Sequence, residues 1–186
     1  MKKLTTLVLA LAMVFSLAAC GNKNSGTTSK EDTNKTEKPK TVTIKSFNAN
    51  NEETDLEVPY DAQRIAVMDM ASLDILDSLG LGDRVVGSSS TSLDYLQEYV
   101  TNDEIVDLGT IKEADMEAVM SCEPDVIFIG GRLAQSYDAL SEIAPVVYLS
   151  TDTEIGLVKS VEKNAKTIAS MFGVEDDVKD LMDGYD

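Results

Sequence analysis

The chain has 186 residues, with 33 acidic against 16 basic side chains, a formal net charge of −17, two cysteines and no histidine. So acidic a chain is not expected to bind nucleic acid, whose phosphates call for a basic face. The lack of histidine removes Ser-His-Asp and Cys-His nucleophile systems, His-ligated zinc and the usual axial haem ligand.

At the amino terminus, Lys2 and Lys3 precede an apolar run from Leu4 to Ala18. This is the charged start and short hydrophobic stretch of an export signal, too short to span a bilayer comfortably. It ends in Leu17-Ala18-Ala19-Cys20, which is similar to the bacterial lipobox, where cleavage before the cysteine accompanies attachment of a diacylglycerol to its thiol. A plain secretory signal and a short membrane anchor are the competing readings. The summed pattern favours residues 1–19 as a signal peptide and Cys20 as the lipidated residue. A lipid would hold the protein on the extracytoplasmic face of the cell membrane without crossing it. It would also leave Cys122 without a disulfide partner, as a buried apolar residue. Residues 20–40 carry Asn, Ser, Thr, Lys and Glu but almost nothing apolar, so the expectation is a disordered tether.

The folded part is expected over residues 41–150. Thr41 to Phe47 and Thr54 to Val58 alternate apolar and polar residues around the turn-forming Asn48 to Asn51, which predicts a short hairpin. Beyond Asp61 short, continuous apolar runs take over: Ile65 to Met68, Val85 to Val86, Val126 to Ile129 and Val146 to Leu149. Such runs suit strands covered on both faces. Helical spacing lies between them, at Leu73, Leu76 and Leu79 before Gly80, at Leu93, Leu96 and Val100, at Met116, Val119 and Met120 after Asp115, and at Leu140 and Ile143 before Pro145. Strand alternating with helix predicts an α/β lobe with a Rossmann-like, largely parallel sheet.

Thr151 with Glu154 forms a capping-box pattern, and Val158, Val161, Ala165, Ile168 and Phe172 recur at helical spacing up to Gly173. The expectation is one long helix within residues 151–173, a rod of about 27 Å. Residues 174–186 begin another helix-like segment without a closing strand, so the expectation is the start of a second lobe whose body is absent.

In an open parallel sheet, ligands sit at the carboxyl ends of the strands. Here those ends are Asp69-Met70, Ser88-Ser89-Ser90, Gly130-Gly131-Arg132 and Ser150-Thr151. Gly-Gly-Arg is the most informative, since two glycines leave backbone room and a guanidinium offers five donors to an anionic oxygen cluster. A surface arginine at an ordinary turn is the competing reading. No Gly-x-Gly-x-x-Gly follows a strand, no Walker motif occurs, and Leu79-Gly80-Leu81-Gly82 ends a helix. A Rossmann-like enzyme is therefore disfavoured.

The segments Arg64-Ile65-Ala66-Val67-Met68-Asp69-Met70, Leu73-Asp74-Ile75-Leu76-Asp77-Ser78-Leu79-Gly80 and Asp83-Arg84-Val85-Val86-Gly87 resemble the opening of periplasmic-binding proteins for iron complexes. Asp107-Leu108-Gly109, Met116-Glu117-Ala118-Val119, Glu123-Pro124-Asp125-Val126-Ile127-Phe128-Ile129, Gly131-Arg132 and Ile143-Ala144-Pro145 continue the resemblance in register. The wording is most similar to catecholate siderophore binders of the enterobactin and petrobactin type. Leu133 departs from it, since a polar glutamine commonly follows this arginine.

The resemblance implies a non-enzymatic, monomeric substrate-binding lipoprotein of an ABC importer, with two lobes joined by a rigid helix and no cofactor beyond its cargo, a ferric siderophore. It implies Arg132 as the ligand-binding arginine and Glu117 as the residue that docks on the permease. Met70 is expected to pack against a catechol ring, Ser88 to offer a hydroxyl and Lys112 a second charge. Ordinary loop, packing and surface roles compete for Met70, Ser88, Lys112 and Glu117. Haem or corrinoid binding by the same architecture, and a truncated inert remnant, are the competing functions.

Overall fold

The computed structural model describes residues 39–185. The expected signal peptide, Cys20 and nearly all of the expected tether lie outside the described residues. Among the described residues no helix is long and apolar enough to cross a membrane.

The hairpin forms as its alternation predicts. Strands β1 (Thr41–Phe47) and β2 (Glu53–Pro59) pair antiparallel, with Ile44 opposite Leu56 and Val42 opposite Val58. Asn48 closes the turn, its side-chain oxygen accepting from the amides of Asn50 (2.9 Å) and Glu52 (3.0 Å). Asn51 takes a left-handed φ of 60°, a conformation asparagine tolerates better than most residues.

The lobe then runs through β3 (Ile65–Met68), α1 (Met70–Ser78), β4 (Val85–Ser88), α2 (Glu98–Thr101) and β5 (Val106–Asp107). A small antiparallel pair, β6 (Gly109–Thr110) and β7 (Glu113–Ala114), leads into α3 (Met116–Ser121), β8 (Val126–Ile129), α4 (Tyr137–Ser141) and β9 (Val146–Tyr148). α5 (Leu157–Phe172) and α6 (Val178–Met182) follow. The central sheet has the order β5-β4-β3-β8-β9, with every neighbouring pair parallel. The order reverses between β3 and β8, because the chain leaves β3 towards β4 and returns to β8 on the other side.

The continuous apolar runs are explained by two cores. Ile65, Val67, Val126, Phe128 and Val147 join α1 and α5 in one cluster, while Ala66, Met68, Ile127, Ile129, Val146 and Tyr148 join Val119, Leu133 and Leu140 in the other. Successive strand residues point to opposite faces, so a strand covered on both must be apolar throughout. Cys122 belongs to the second core as a free, buried thiol, and burial pushes its pKa up.

Three expectations need correction. The helical face predicted from Leu93, Leu96 and Val100 is instead a 3₁₀ turn (Asp94–Leu96) followed by the short α2; Leu96 and Tyr99 are buried, and Leu93 and Val100 are exposed. In α3 it is Val119 that enters the core, while Met120 is 55% exposed. The Thr151–Glu154 pair caps nothing: Asp152 accepts the Glu154 amide at 2.9 Å, and α5 begins only after Gly156 at φ 90°. Val158 is consequently exposed, and Ser160, Ala165, Ile168, Ala169, Met171 and Phe172 form the buried stripe. The 16-residue helix is about 24 Å long, and ends on Gly173 in the left-handed conformation, φ 70°.

Candidate functional site

The reversal point between β3 and β8 is where the two halves of a doubly wound sheet splay apart and leave a crevice. A cleft of about 440 Å³ lies there, lined by Asp69, Met70 and Ala71 after β3, Gly130, Gly131 and Arg132 after β8, Ser150 and Thr151 after β9, and Ile111 and Asn164. Each residue has a local reason to be there. Asp69 is the N-cap of α1, its carboxylate accepting from the Ser72 amide at 2.9 Å and the Ser72 hydroxyl at 2.8 Å. That carboxylate fills the space beside β8, for a Cβ at Gly130 would lie 2.5 Å from Asp69 Oδ1. Glycine is thus required at 130 by a close approach. Asn164, on α5, donates to the Ser150 carbonyl at 3.3 Å and ties the helix to the rim.

Arg132 sits at the second position of a 3₁₀ turn, Gly131–Ser136, whose Leu133 is buried at 1% exposure in the second core. That burial explains why an apolar residue follows the arginine here. Arg132 is exposed, and among the described residues no ion pair or hydrogen bond occupies its side chain. An unpaired guanidinium at a sheet's carboxyl edge can engage an anion in charge-assisted hydrogen bonds.

Of the residues expected at the site, the structure brings Arg132 and Met70 together. Ser88 is a correction: it is 3% exposed and its hydroxyl donates to the Ser89 carbonyl at 3.1 Å, so it does not face the cleft. As the last residue of β4, it is paired with Val67 of β3 and Asp107 of β5 on either side. Lys112 is exposed beside Ile111, its backbone amide bound by Thr110 Oγ1 at 3.2 Å, and it does not line the cleft. Glu117 is exposed in the first turn of α3, after its N-cap Asp115. Asn164 and Ile111 were not anticipated; the only signal for Asn164 was a poor helix former within a long helical stretch.

A larger hollow of about 640 Å³ lies at the other end of β4, lined by Asp77, Asp83, Glu98, Glu104 and Tyr99 among others. Four carboxylates make it repulsive to anions. The Tyr99 hydroxyl donates to Asp77 at 2.5 Å, and burial first and Asp77 second raise the phenol's pKa. Among the described residues no group of three or more Cys, Asp or Glu is placed to hold a metal ion.

A doubly wound lobe with a cleft at its reversal point is compatible with a solute-binding architecture, and a family model for periplasmic binding proteins matches residues 65–186. The chain belongs to that family. It is 36% identical over 186 residues to the petrobactin-binding protein YclQ of Bacillus subtilis, covering all of this chain and 56% of that protein. The crystal structure of YclQ superposes with a TM-score of 0.69 at 34% identity, over 78% of this chain and 50% of that one. The periplasmic catecholate-siderophore binding protein VctP of Vibrio cholerae gives a TM-score of 0.66 at 27% identity, over 77% and 50%. The chain therefore spans about half the length of the relatives it matches.

Proposed function

We propose that this chain is the ligand-binding amino-terminal lobe of an ABC importer's substrate-binding lipoprotein, that it takes a ferric catecholate siderophore at the cleft beside Arg132, and that it hands the complex to a permease. In this reading residues 41–150 form the lobe, α5 is the rigid interlobe helix, Cys20 carries the lipid anchor on the extracytoplasmic side, and the protein acts as a monomer without covalent chemistry. The observation that carries the reading is the unpaired Arg132 at the carboxyl ends of β3 and β8. A ferric catecholate is multiply anionic, and a strongly acidic protein needs a local cation to hold it. The relatives named for petrobactin and catecholate siderophores support the ligand class.

Calorimetric titration with the iron(III) tris-catecholate complex tests it. Arg132→Ala is expected to weaken binding by about 1.5 to 3 kcal/mol, the range for a hydrogen bond to a charged group, which is roughly tenfold to a hundredfold. Arg132→Lys should recover part of the loss, since an ammonium keeps the charge but not the planar fork. Unchanged affinity in both variants, or equally tight binding of a neutral corrinoid, would overturn the assignment.

A further inference from the structure

We infer that the amino-terminal hairpin is a positioning element of this cleft, with Asn51 and Tyr148 together fixing the backbone that presents Arg132. The inference rests on Arg132 being the anion-binding residue.

The Arg132 side chain is exposed and has no partner among the described residues, so nothing at its tip fixes where the guanidinium stands. Its position is set by the backbone on either side. On one side Leu133 is buried in the second core. On the other, the backbone of Gly131 lies against Tyr148, for a Cβ at residue 131 would come within 3.0 Å of the Tyr148 hydroxyl. A side chain at 131 would therefore crowd the phenol oxygen and have to shift it, or the arginine's backbone, by a few tenths of an ångström.

Tyr148 is itself immobilised. It is 4% exposed, its ring meets Phe47 at a centroid distance of 5.4 Å, and its hydroxyl donates to Asn51 Oδ1 at 2.7 Å. Asn51 is held in turn by its left-handed φ and by its amide, which donates to the Asn48 carbonyl at 3.0 Å. Burial, and secondarily the Asp69 carboxylate, raise the Tyr148 pKa, so the phenol remains a donor at neutral pH. The resulting series of contacts runs from the hairpin turn through the phenol to the glycine and the arginine.

The test is a double-mutant cycle read by calorimetry with the iron(III) tris-catecholate complex, with circular dichroism as the check on folding. Gly131→Ala places a methyl against the phenol oxygen and should weaken binding by about threefold or more, the scale of coupling between residues in contact. Tyr148→Phe removes the oxygen together with its bond to Asn51 and should itself weaken binding, but in that background Gly131→Ala should cost little more, a coupling that a general loss of stability does not produce. Asn51→Gly keeps the left-handed turn while deleting the acceptor. It should weaken binding in the parent and have no further effect in Tyr148→Phe. Equal losses from Gly131→Ala in both backgrounds, or no loss in either, would overturn the inference, as would an Asn51→Gly variant with parental affinity. Arg132→Ala is the control: no effect from it would sink the anion-site reading, whereas a loss from it with no coupling in the cycle would sink the positioning role alone.

Discussion

Asp69 has two roles that substitution can separate, because one depends on its oxygen atoms and the other on its charge. Its carboxylate caps α1 through the Ser72 amide and hydroxyl, and Ser72 is 2% exposed. Asp69→Ala removes the cap, worth about 0.5 to 2 kcal/mol, and leaves a buried hydroxyl without its acceptor, about 1 kcal/mol more. A loss near 2 kcal/mol is therefore expected, a shift of about 1 M in a urea midpoint for a domain of this size. Asparagine caps as well as aspartate, so Asp69→Asn should stay within about 0.5 kcal/mol of the parent. The same change removes a negative charge from the cleft that holds Arg132, and the tris-catecholate complex should bind more tightly to it. Urea unfolding followed by circular dichroism, with calorimetry alongside, measures both. An asparagine variant as unstable as the alanine one would refute the capping argument, and one that binds the anion more weakly would refute the electrostatic one.

Two further outcomes are expected. If Glu117 docks on the permease, Glu117→Ala should reduce ferric catecholate uptake in cells while leaving affinity in solution unchanged; lost affinity with normal docking would reverse that assignment. The Asp74 pKa is raised, by burial first and by Asp77 second. The folded state therefore holds the Asp74 proton to higher pH than the unfolded chain, and this contribution to stability is present in acid and lost as pH rises through the carboxylate range. Asp74→Asn should consequently stabilise the protein at about pH 7, with the gain vanishing near pH 3, as followed by thermal unfolding across pH. A gain that does not change with pH would show that the Asp74 charge is not its source.

Strands β3 and β8 were legible because burial on both faces leaves no polar position in Ile65–Met68 or Val126–Ile129. Asp115 was legible as an N-cap for the same kind of local reason, since its side chain reaches the amides of Glu117 and Ala118. The start of α5 was not: Thr151 and Glu154 have the right spacing, but Asp152 takes the Glu154 amide and Gly156 turns the chain first. Tyr99 was overlooked as a core residue because an amphipathic ring reads as neutral in a periodicity, whereas here it is buried and bonded to Asp77. Within the cleft, Gly130, Gly131 and Arg132 could be singled out because strand ends in a parallel sheet share one edge. Ile111 and Asn164 reach that edge only through tertiary packing, and no sequence spacing carries that information. Ser88 stood at the correct edge, but which way the last strand residue points depends on register.

Strand β9 lies at the end of the central sheet, and a strand in that place offers unpaired backbone groups to any other chain. The hairpin answers this with one hydroxyl. The Tyr148 amide donates to Ser46 Oγ at 2.9 Å, the Ser46 hydroxyl lies 3.3 Å from the Tyr148 carbonyl oxygen, and Ser46 is 2% exposed. A single serine thus occupies both outward backbone groups of Tyr148, so the hairpin covers this part of the edge against strand addition by another chain.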